Sequence, residues 1–368
     1  MVIKMKYFDV IVIGGGASGV TCATQIKKRN PNLSVLILEQ NDKILKKLLK
    51  TGNGKCNLGN LDISREHYYH FDFFKDLIKD FDLKEFFKEM GLVIKSDNMG
   101  RLYPYSETAT SVVNIFLNEI KKEGIEVRCS YKVEEIKKTN DVFSINKDYE
   151  ARFVVVSTGS CSCEKTNGYD LAKSLNNSIT PLRPILTPIK VKEETKSLSG
   201  IKVKCQLKVN DFERKGEILF KDDGISGILA LEASRFCNIG DVISLDFAYD
   251  LEKNEIEDII KGDEKEVKLN GLLPKMLAKK VKTIDDIKCF KLTVSGFYGF
   301  DNSQVTRGGV SLDDVSRSFE SKKCEGVYFC GEVLDIDGDC GGYNLYFAWL
   351  SGVNVAKNIT EIVKNNNL

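Results

Sequence analysis

Three observations in this 368-residue chain predict an α/β fold. They point to a parallel sheet covered on both faces and interrupted by one insertion. A strand–helix–strand unit fills residues 8 to 39. Apolar, β-branched runs recur at Phe153 to Val156 and Val327 to Cys330, the pattern of strands buried on both faces. Between them, from about residue 189, the texture turns to short alternating strands and charged helical stretches.

Phe8 to Ile13 is the first strand and ends in Gly14-Gly-Gly-Ala-Ser-Gly19. Val20 to Arg29 has a helical pattern that Asn30-Pro31-Asn32 stops, and Leu33 to Glu39 reads as a second buried strand. A basic, leucine-bearing segment, Lys43 to Lys50, leads into Thr51-Gly-Asn-Gly-Lys-Cys-Asn57, a loop dense in turn residues. Residues 71 to 90 carry phenylalanines and leucines at helical spacing and predict an amphipathic helix. Glu107 to Glu123 predicts another. Ile125 to Arg128 fits a further parallel strand, and Tyr131 to Ile145 an antiparallel excursion. Half of the prolines lie in Pro181, Pro184 and Pro188, a natural crossing point between domains. The expected division is 1–188, an insert of 189–295 (β-rich over 189–247, helical over 248–290), and a return over 296–368 whose closing helix spans Tyr343 to Val363.

Composition narrows the function. Lysine and arginine number 54 against 53 acids, a net charge of +1, so affinity built on neutralising many phosphates is disfavoured. Both histidines sit in His67-Tyr-Tyr-His70, which leaves little for a histidine-rich metal site or a dispersed serine–histidine–aspartate triad. No metal site is expected. Eleven cysteines without paired CxxC units, Cys161-Ser-Cys163 included, read as reduced thiols. No secretory-type leader precedes the first strand, and no stretch reaches the ~18 apolar residues that span a bilayer. A cytoplasmic protein without a membrane partner is the expectation.

Gly14, Gly16 and Gly19 satisfy G-x-G-x-x-G between a strand and a helix, and Glu39 ends the second strand. The first glycine permits the turn, the second admits a pyrophosphate, and the third lets helix pack on strand. The helix N-terminus offers bare N–H groups to phosphate, and the acid accepts from ribose hydroxyls. A dinucleotide is therefore expected. Val154 to Gly159 is a strand ending in Thr158-Gly159, a second contact of FAD domains. Gly331-Glu332 suits a turn that sets a carboxylate against the ribityl chain. Gly341 and Gly342 would let the last helix aim N–H groups at a flavin's pyrimidine end, which favours its reduced form. FAD is preferred over NAD.

The chain resembles the BaiN-like (YhiN-like) FAD-dependent oxidoreductases over nearly its whole length. Four motifs carry the resemblance: residues 14–19; Lys47-Leu-Leu-Lys-Thr-Gly-Asn-Gly-Lys-Cys-Asn57; Gly100-Arg-Leu-Tyr-Pro104; and Gln304 to Ser311 together with Gly331 to Asn344. Asn53 and Lys55 stand where the family pattern has a glycine and an arginine. The resemblance implies a two-dinucleotide-type, Rossmann-like FAD domain with an inserted β-barrel-like plus helical substrate domain. Carried over, Gly14, Gly16, Ala17, Ser18, Gly19, Glu39, Gln40 and Val133 look like contacts of the AMP half. Lys47, Thr51, Gly52, Gly54, Lys55, Cys56 and Asn57 resemble the loop along pyrophosphate and flavin. Thr158 and Gly159 border the nucleotide, and Gly331, Glu332, Asp337, Gly341, Gly342, Tyr343 and Asn344 resemble the flavin-side cluster.

Flavin carries the hydride, so the protein positions substrate and tunes potential. Candidate proton donors are Tyr343, Cys56 and Cys340, with Arg101, Tyr103 and Lys55 as substrate anchors. One cysteine at 56 and no second fingerprint argue against a dithiol reductase, so NAD(P)H would approach transiently. The resemblance implies reduction of an activated carbon–carbon double bond in an enone-type, bile-acid-like small molecule. Dihydrouridine formation in ribosomal RNA and a non-catalytic flavin module stand as alternatives. A stripe of Lys275, Lys279, Lys280 and Lys282 would serve the RNA reading. The oligomeric state stays open.

Overall fold

The computed structural model describes residues 5–162, 165–262 and 265–366. The chain divides into two compact units, one formed by 1–183 with 306–368 and the other by 184–305. The insert therefore runs from Pro184 to Val305, whereas texture suggests 189–295. One reason is visible at its end, where strand Phe290–Phe297 pairs with Ile189–Val191, so residues past 295 stay with the insert.

In the first unit, Glu126–Arg128, Val35–Leu38, Lys6–Ile13 and Tyr149–Val156 lie side by side in parallel. Val327–Phe329 adds to the last of these, also in parallel. Val35–Leu38 is buried at every position, as a strand covered on both faces must be. Register decides where the strands end. Ile13 pairs with both Leu38 and Val156, and Val156 also pairs with Phe329. The loops at 14, 39, 157 and 330 thus leave one carboxyl edge of the sheet, where open α/β sheets bind ligands. The expected antiparallel excursion is the hairpin Ile136–Thr139/Val142–Ile145, attached to the first half of Tyr149–Val156.

Helix Ala17–Arg29 packs against the closing helix Tyr343–Asn366. Gly352 lets them touch, since a Cβ there would stand 2.6 Å from the Ser18 carbonyl oxygen. The amphipathic helix expected over 71–90 does not form. Three short 3-10 turns (Phe71–Phe73, Lys75–Asp80 and, upstream, Arg65–His67) and one helix, Leu83–Lys88, occupy this region. Phe74 and Phe81 instead face Phe347 and Tyr346 of the closing helix, with ring centroids 5.0 and 5.5 Å apart. Asp82 restarts the helix by accepting from the Lys84 and Glu85 N–H groups. Tertiary packing outweighs the local spacing.

The second unit is a closed antiparallel barrel in the order Ile189–Val191, Gly224–Ser226, Phe212–Lys221, Lys202–Val209, Val242–Asp246 and Phe290–Phe297. Along Lys202–Val209 the burial alternates, with Val203, Cys205, Leu207 and Val209 inside. The charged stretch that follows the barrel's fifth strand forms four short helices, Lys253–Ile260, Lys265–Leu272, Lys275–Lys280 and Ile284–Lys288. Pro274 separates the second from the third, as its missing N–H requires.

Candidate cofactor and active site

The fingerprint geometry follows from three missing side chains. Gly14 has φ +105°, and a Cβ there would lie 2.5 Å from the Ser157 carbonyl oxygen. A Cβ on Gly19 would stand 2.1 Å from the Gly14 oxygen, so only glycine lets the helix approach the strand. Nothing lies within 4 Å of the position a Gly16 Cβ would take. That open ground faces a helix start whose N-cap, Gly16, has no side-chain cap, so its first N–H groups remain for a phosphate. The Glu39 carboxylate accepts from the Gly15 N–H at 2.7 Å and from the Asn41 backbone and side-chain N–H groups at 2.8 and 2.9 Å. Each carboxylate oxygen can accept more than one bond, so a ribose hydroxyl remains within its capacity. Gln40 is exposed and donates to the Lys165 oxygen, and buried Val133 offers its carbonyl to Asn167.

The two ends of the chain meet at this edge. Ser18 Oγ donates to the Cys330 carbonyl at 3.2 Å, and Gly331 N–H donates to Ser351 at 2.9 Å. Lys47 pairs with Glu332 at 3.1 Å, linking the second-strand loop to the C-terminal turn. In that loop Thr51 Oγ1 caps the Leu48 carbonyl, and Gly52 and Gly54 take positive φ. Asn60 donates to the Gly341 carbonyl at 3.2 Å. Asn344 exchanges bonds with Gly338 at 2.8 and 2.9 Å, closing the turn before the last helix.

Three buried polar atoms along this path have no hydrogen-bond partner: Asn57 Oδ1, Thr158 Oγ1 and Tyr169 Oη. Gly54 and Gly159 have positive φ and open space where a Cβ would project. A cradle with open glycines, an uncapped helix start and orphaned donors and acceptors fits an elongated dinucleotide with a polar edge. Tyr169 escapes a sequence reading, because only folding brings it into electrostatic reach of Glu332 and Asp335. Burial first, then the Glu332 charge, pushes its phenol far above the usual range, so it stays protonated.

The candidate donors and anchors separate. Cys56 is fully buried, and burial pushes its thiol up to about 12, so it holds no thiolate at neutral pH. Cys340 is half-buried. Cys163 lies outside the described residues. Tyr343 is buried, its ring stacked on His67 at 4.4 Å between centroids. Lys55 is exposed and paired with Glu107 at 2.6 Å, and Arg101 is held by Asp97 at 2.7 Å with its guanidinium over Tyr103. The two charged anchor candidates thus already carry carboxylate partners. Among the described residues, no cluster of His, Cys, Asp and Glu is arranged to hold a metal.

A feature that sequence reasoning missed lies beside the turn that leads into the closing helix. The segment His67 to His70 runs antiparallel to Asp335 to Asp339, bridged at Tyr68 and Gly338. Each acid of Asp335-Ile-Asp337-Gly-Asp339 meets a basic side chain. His67 Nδ1 lies 3.0 Å from Asp339, Arg307 holds Asp337 with two bonds of 2.9 and 3.0 Å, and His70 Nε2 lies 3.6 Å from Asp335. Arg307 also sits 4.5 Å over the Tyr69 ring. A cavity of about 460 Å³ opens here, with Tyr69, His70, Thr180, Arg183, Arg307 and Asp335 in its wall. The signal in the sequence is three acids in five residues, a run that needs hydrogen-bonding partners once buried.

A parallel sheet with a fingerprint at its first turn and a glycine-led helix returning to the same edge defines the FAD-binding Rossmann fold of flavoprotein oxidoreductases. Residues 8–358 match the HI0933-like protein Rossmann domain, and the chain belongs to that family of FAD-dependent oxidoreductases. It is 30% identical to a 3-dehydro-bile acid delta(4,6)-reductase of Clostridium scindens, over 93% of this chain and 96% of that protein. It is 27% identical to a ribosomal RNA dihydrouridine synthase of Haemophilus influenzae, over 97% of this chain and 99% of that one. A mutant FrdA chain of the E. coli quinol fumarate reductase shares the fold at a TM-score of 0.51 and 14% identity, over 99% of this chain and 72% of that one. The BaiN-like resemblance is borne out. No described helix is long and apolar enough to cross a membrane.

Proposed function

We propose that this protein reduces a carbon–carbon double bond conjugated to a carbonyl, in an enone-type organic small molecule, with NAD(P)H as the transient electron donor. The observation that carries the reading is the end-to-end similarity to a reductase whose name describes a diene beside a C3 ketone. Bound FAD supplies hydride chemistry at its N5. The residues at Gly14–Gly19 would hold the pyrophosphate, Glu39 the ribose, and Asn57, Thr158 and Tyr169 the polar edges that lack partners here. The N-terminus of the closing helix would favour negative charge at the flavin's pyrimidine end. Substrate reduction also takes up one proton at the carbon next to the carbonyl. Tyr343 and Cys340 are the remaining candidates to supply it, since burial leaves Cys56 too weak an acid.

A second reading, reduction of uridine in ribosomal RNA, draws support from the Haemophilus influenzae relative. Its chemistry is the same, because the uracil double bond is conjugated to a ring carbonyl. The lysine stripe gives it less than the sequence offered, since Lys280 is engaged by Glu194. The test is direct. Purified protein is reduced anaerobically with NADH or NADPH, then offered a steroidal dienone. Reoxidation with formation of the saturated product supports the first reading. A deletion strain that loses dihydrouridine from ribosomal RNA, with no turnover of enones, overturns it in favour of the second.

A further inference from the structure

A second cavity, of about 630 Å³, lies in the first unit beside the one that Tyr69 and Arg307 line. His70, Leu312 and Asp313 stand in the walls of both, so the two adjoin and form one groove. Phe73, Leu312 and Val315 give the second cavity its apolar wall, and Arg317 and Lys322 give it two cations. Arg317 is fixed without a carboxylate. Its Nη1 donates to the Asp72 carbonyl at 2.7 Å and to the Phe73 carbonyl, and the guanidinium carbon lies 4.8 Å from the centre of the Phe73 ring. Both N–H groups of Nη1 are thereby used, and a guanidinium carries five. Among the described residues nothing accepts from Nε or Nη2, and no carboxylate pairs with the group. That leaves the Nε/Nη2 edge, where arginine can bind a carboxylate or phosphate through two parallel bonds. Lys322 is arranged alike, for its ammonium donates to the Asp313 carbonyl at 3.0 Å and pairs with no described carboxylate. Of the acids in the wall, Asp72 is claimed by both Arg65 and Lys75, which leaves Asp313 against two cations.

We propose that this groove receives the substrate, and that Arg317, seconded by Lys322, binds a carboxylate at the end away from Asp335. The inference rests on the enone-reductase reading above and narrows its substrate to an amphipathic organic acid. The apolar body lies along Phe73 and Leu312. At the other end Asp335 comes within electrostatic reach of Tyr169, whose unpartnered hydroxyl lies on the cofactor's path, so a reducible end placed there is brought toward the flavin. Both cavities fall within the roughly 300–1,000 Å³ of small-molecule sites. The backbone carbonyls and the ring hold the guanidinium in place before any ligand arrives, so little side-chain freedom remains to be lost on binding. A phosphate chain fits less well. Two cations beside an apolar wall meet one or two charges, whereas affinity for RNA is built on many such contacts.

The FAD-loaded protein is titrated by calorimetry with a saturated, unreactive steroid carboxylic acid and with its methyl ester, at low and at high salt. Arg317 is exposed, so the gain from its charge is modest. The acid is expected to bind roughly five- to tenfold more tightly than the ester, and the gap to shrink as salt rises. Arg317→Gln is expected to bring the acid down to the affinity of the ester, with ester binding and FAD content as in wild type. Arg317→Lys keeps the charge and loses the fork, so only part of the preference should remain. Lys322→Gln removes an exposed ammonium held by one backbone carbonyl, so folding is preserved, and the preference is expected to fall roughly twofold. Equal binding of acid and ester by wild type overturns the proposal. So does a preference unchanged in Arg317→Gln or, where that variant does not fold, in Lys322→Gln. Arg317-dependent binding of a ribosomal RNA fragment in preference to the acid overturns it as well. Acid binding that depends on Arg317, with no reduction of any dienone, leaves the carboxylate site standing and overturns the enone-reductase reading instead.

Discussion

The Gly342 backbone passes so close to Asn57 that a Cβ at residue 342 would stand 2.6 Å from Asn57 Oδ1. The same Cβ would lie 2.4 Å from the Gly59 carbonyl oxygen, with φ at +101°. Loop and helix start therefore share space that no side chain can enter. Gly342→Ala is expected to lower unfolding free energy by roughly 2 to 4 kcal/mol through strain and overpacking. Gly54→Ala has positive φ but no neighbour within 4 Å, and is expected to cost about 1 kcal/mol. Urea unfolding of the two apoproteins checks the contrast, and equal losses would refute the crowding.

Gly16→Val separates folding from cofactor binding. The backbone at Gly16 is extended, with φ −81° and ψ −171°, and a Cβ would meet nothing within 4 Å. Apoprotein stability is expected to stay within about 0.5 kcal/mol, as at an uncrowded site. The branched side chain would occupy the ground where a pyrophosphate must approach the helix start, so FAD affinity is expected to drop at least on the order of tenfold. Thermal melts of apoprotein alongside a flavin titration make the measurement. Retained affinity would move the nucleotide away from the fingerprint.

What the sequence made legible is what local spacing encodes. Gly14, Gly16, Gly19 and Glu39 lie within one strand–helix–strand unit, and each has a job fixed by its offset from the turn. The closing helix from Tyr343 was readable for the same reason. The pairing of His67 with Asp339 spans 272 residues and has no periodic signature, so the histidines were read only as too few for a metal site. The stripe over 71–90 misled because its phenylalanines are placed by the closing helix. Phe74 meets Phe347, and Phe81 meets Tyr346, with centroids 5.0 and 5.5 Å apart, and local helix propensity yields to that contact. Tyr169 became visible as a candidate site residue only once its buried hydroxyl was found without a partner.

Cys56 is expected to be chemically silent. It is buried at φ +58°, and burial raises its thiol to about 12. Cys56→Ser is expected to keep its visible flavin spectrum and to turn over with the same pH profile as wild type. Native protein should also leave this thiol unmodified by a soluble disulfide reagent. A rate step that disappears in the serine variant would restore Cys56 to the chemistry.

Glu107 ties Lys55 and Lys95 to one exposed carboxylate, at 2.6 and 2.5 Å. The hydrogen bonds from Lys55 and then Lys95, with their charges, hold its carboxyl down at about 2, below the ordinary 4.5. A carboxyl lowered by folding adds stability that is present above 4.5 and fades as pH falls through about 2. Glu107→Gln is therefore expected to melt slightly lower than wild type at neutral pH. The difference should shrink with added salt and vanish near pH 2. Melting curves at three pH values decide it, and a gap that persists in acid would assign the effect to packing.

Tyr169 offers the sharpest separation of cofactor binding from folding. Its ring is 5% exposed and its hydroxyl is buried without a partner. Such a group is a burden to the apoprotein, because a donor left unbonded carries its desolvation cost, typically about 1–3 kcal/mol. Tyr169→Phe removes the hydroxyl and keeps the ring, so the apoprotein is expected to be as stable as wild type or more so. If the hydroxyl is kept for FAD, the variant must bind FAD more weakly, by roughly five- to tenfold for one lost hydrogen bond. Opposite signs for apoprotein stability and FAD affinity are the signature of a side chain held for a ligand. Losses in both would make Tyr169 a packing residue, and the orphaned hydroxyl would no longer mark the cofactor's path.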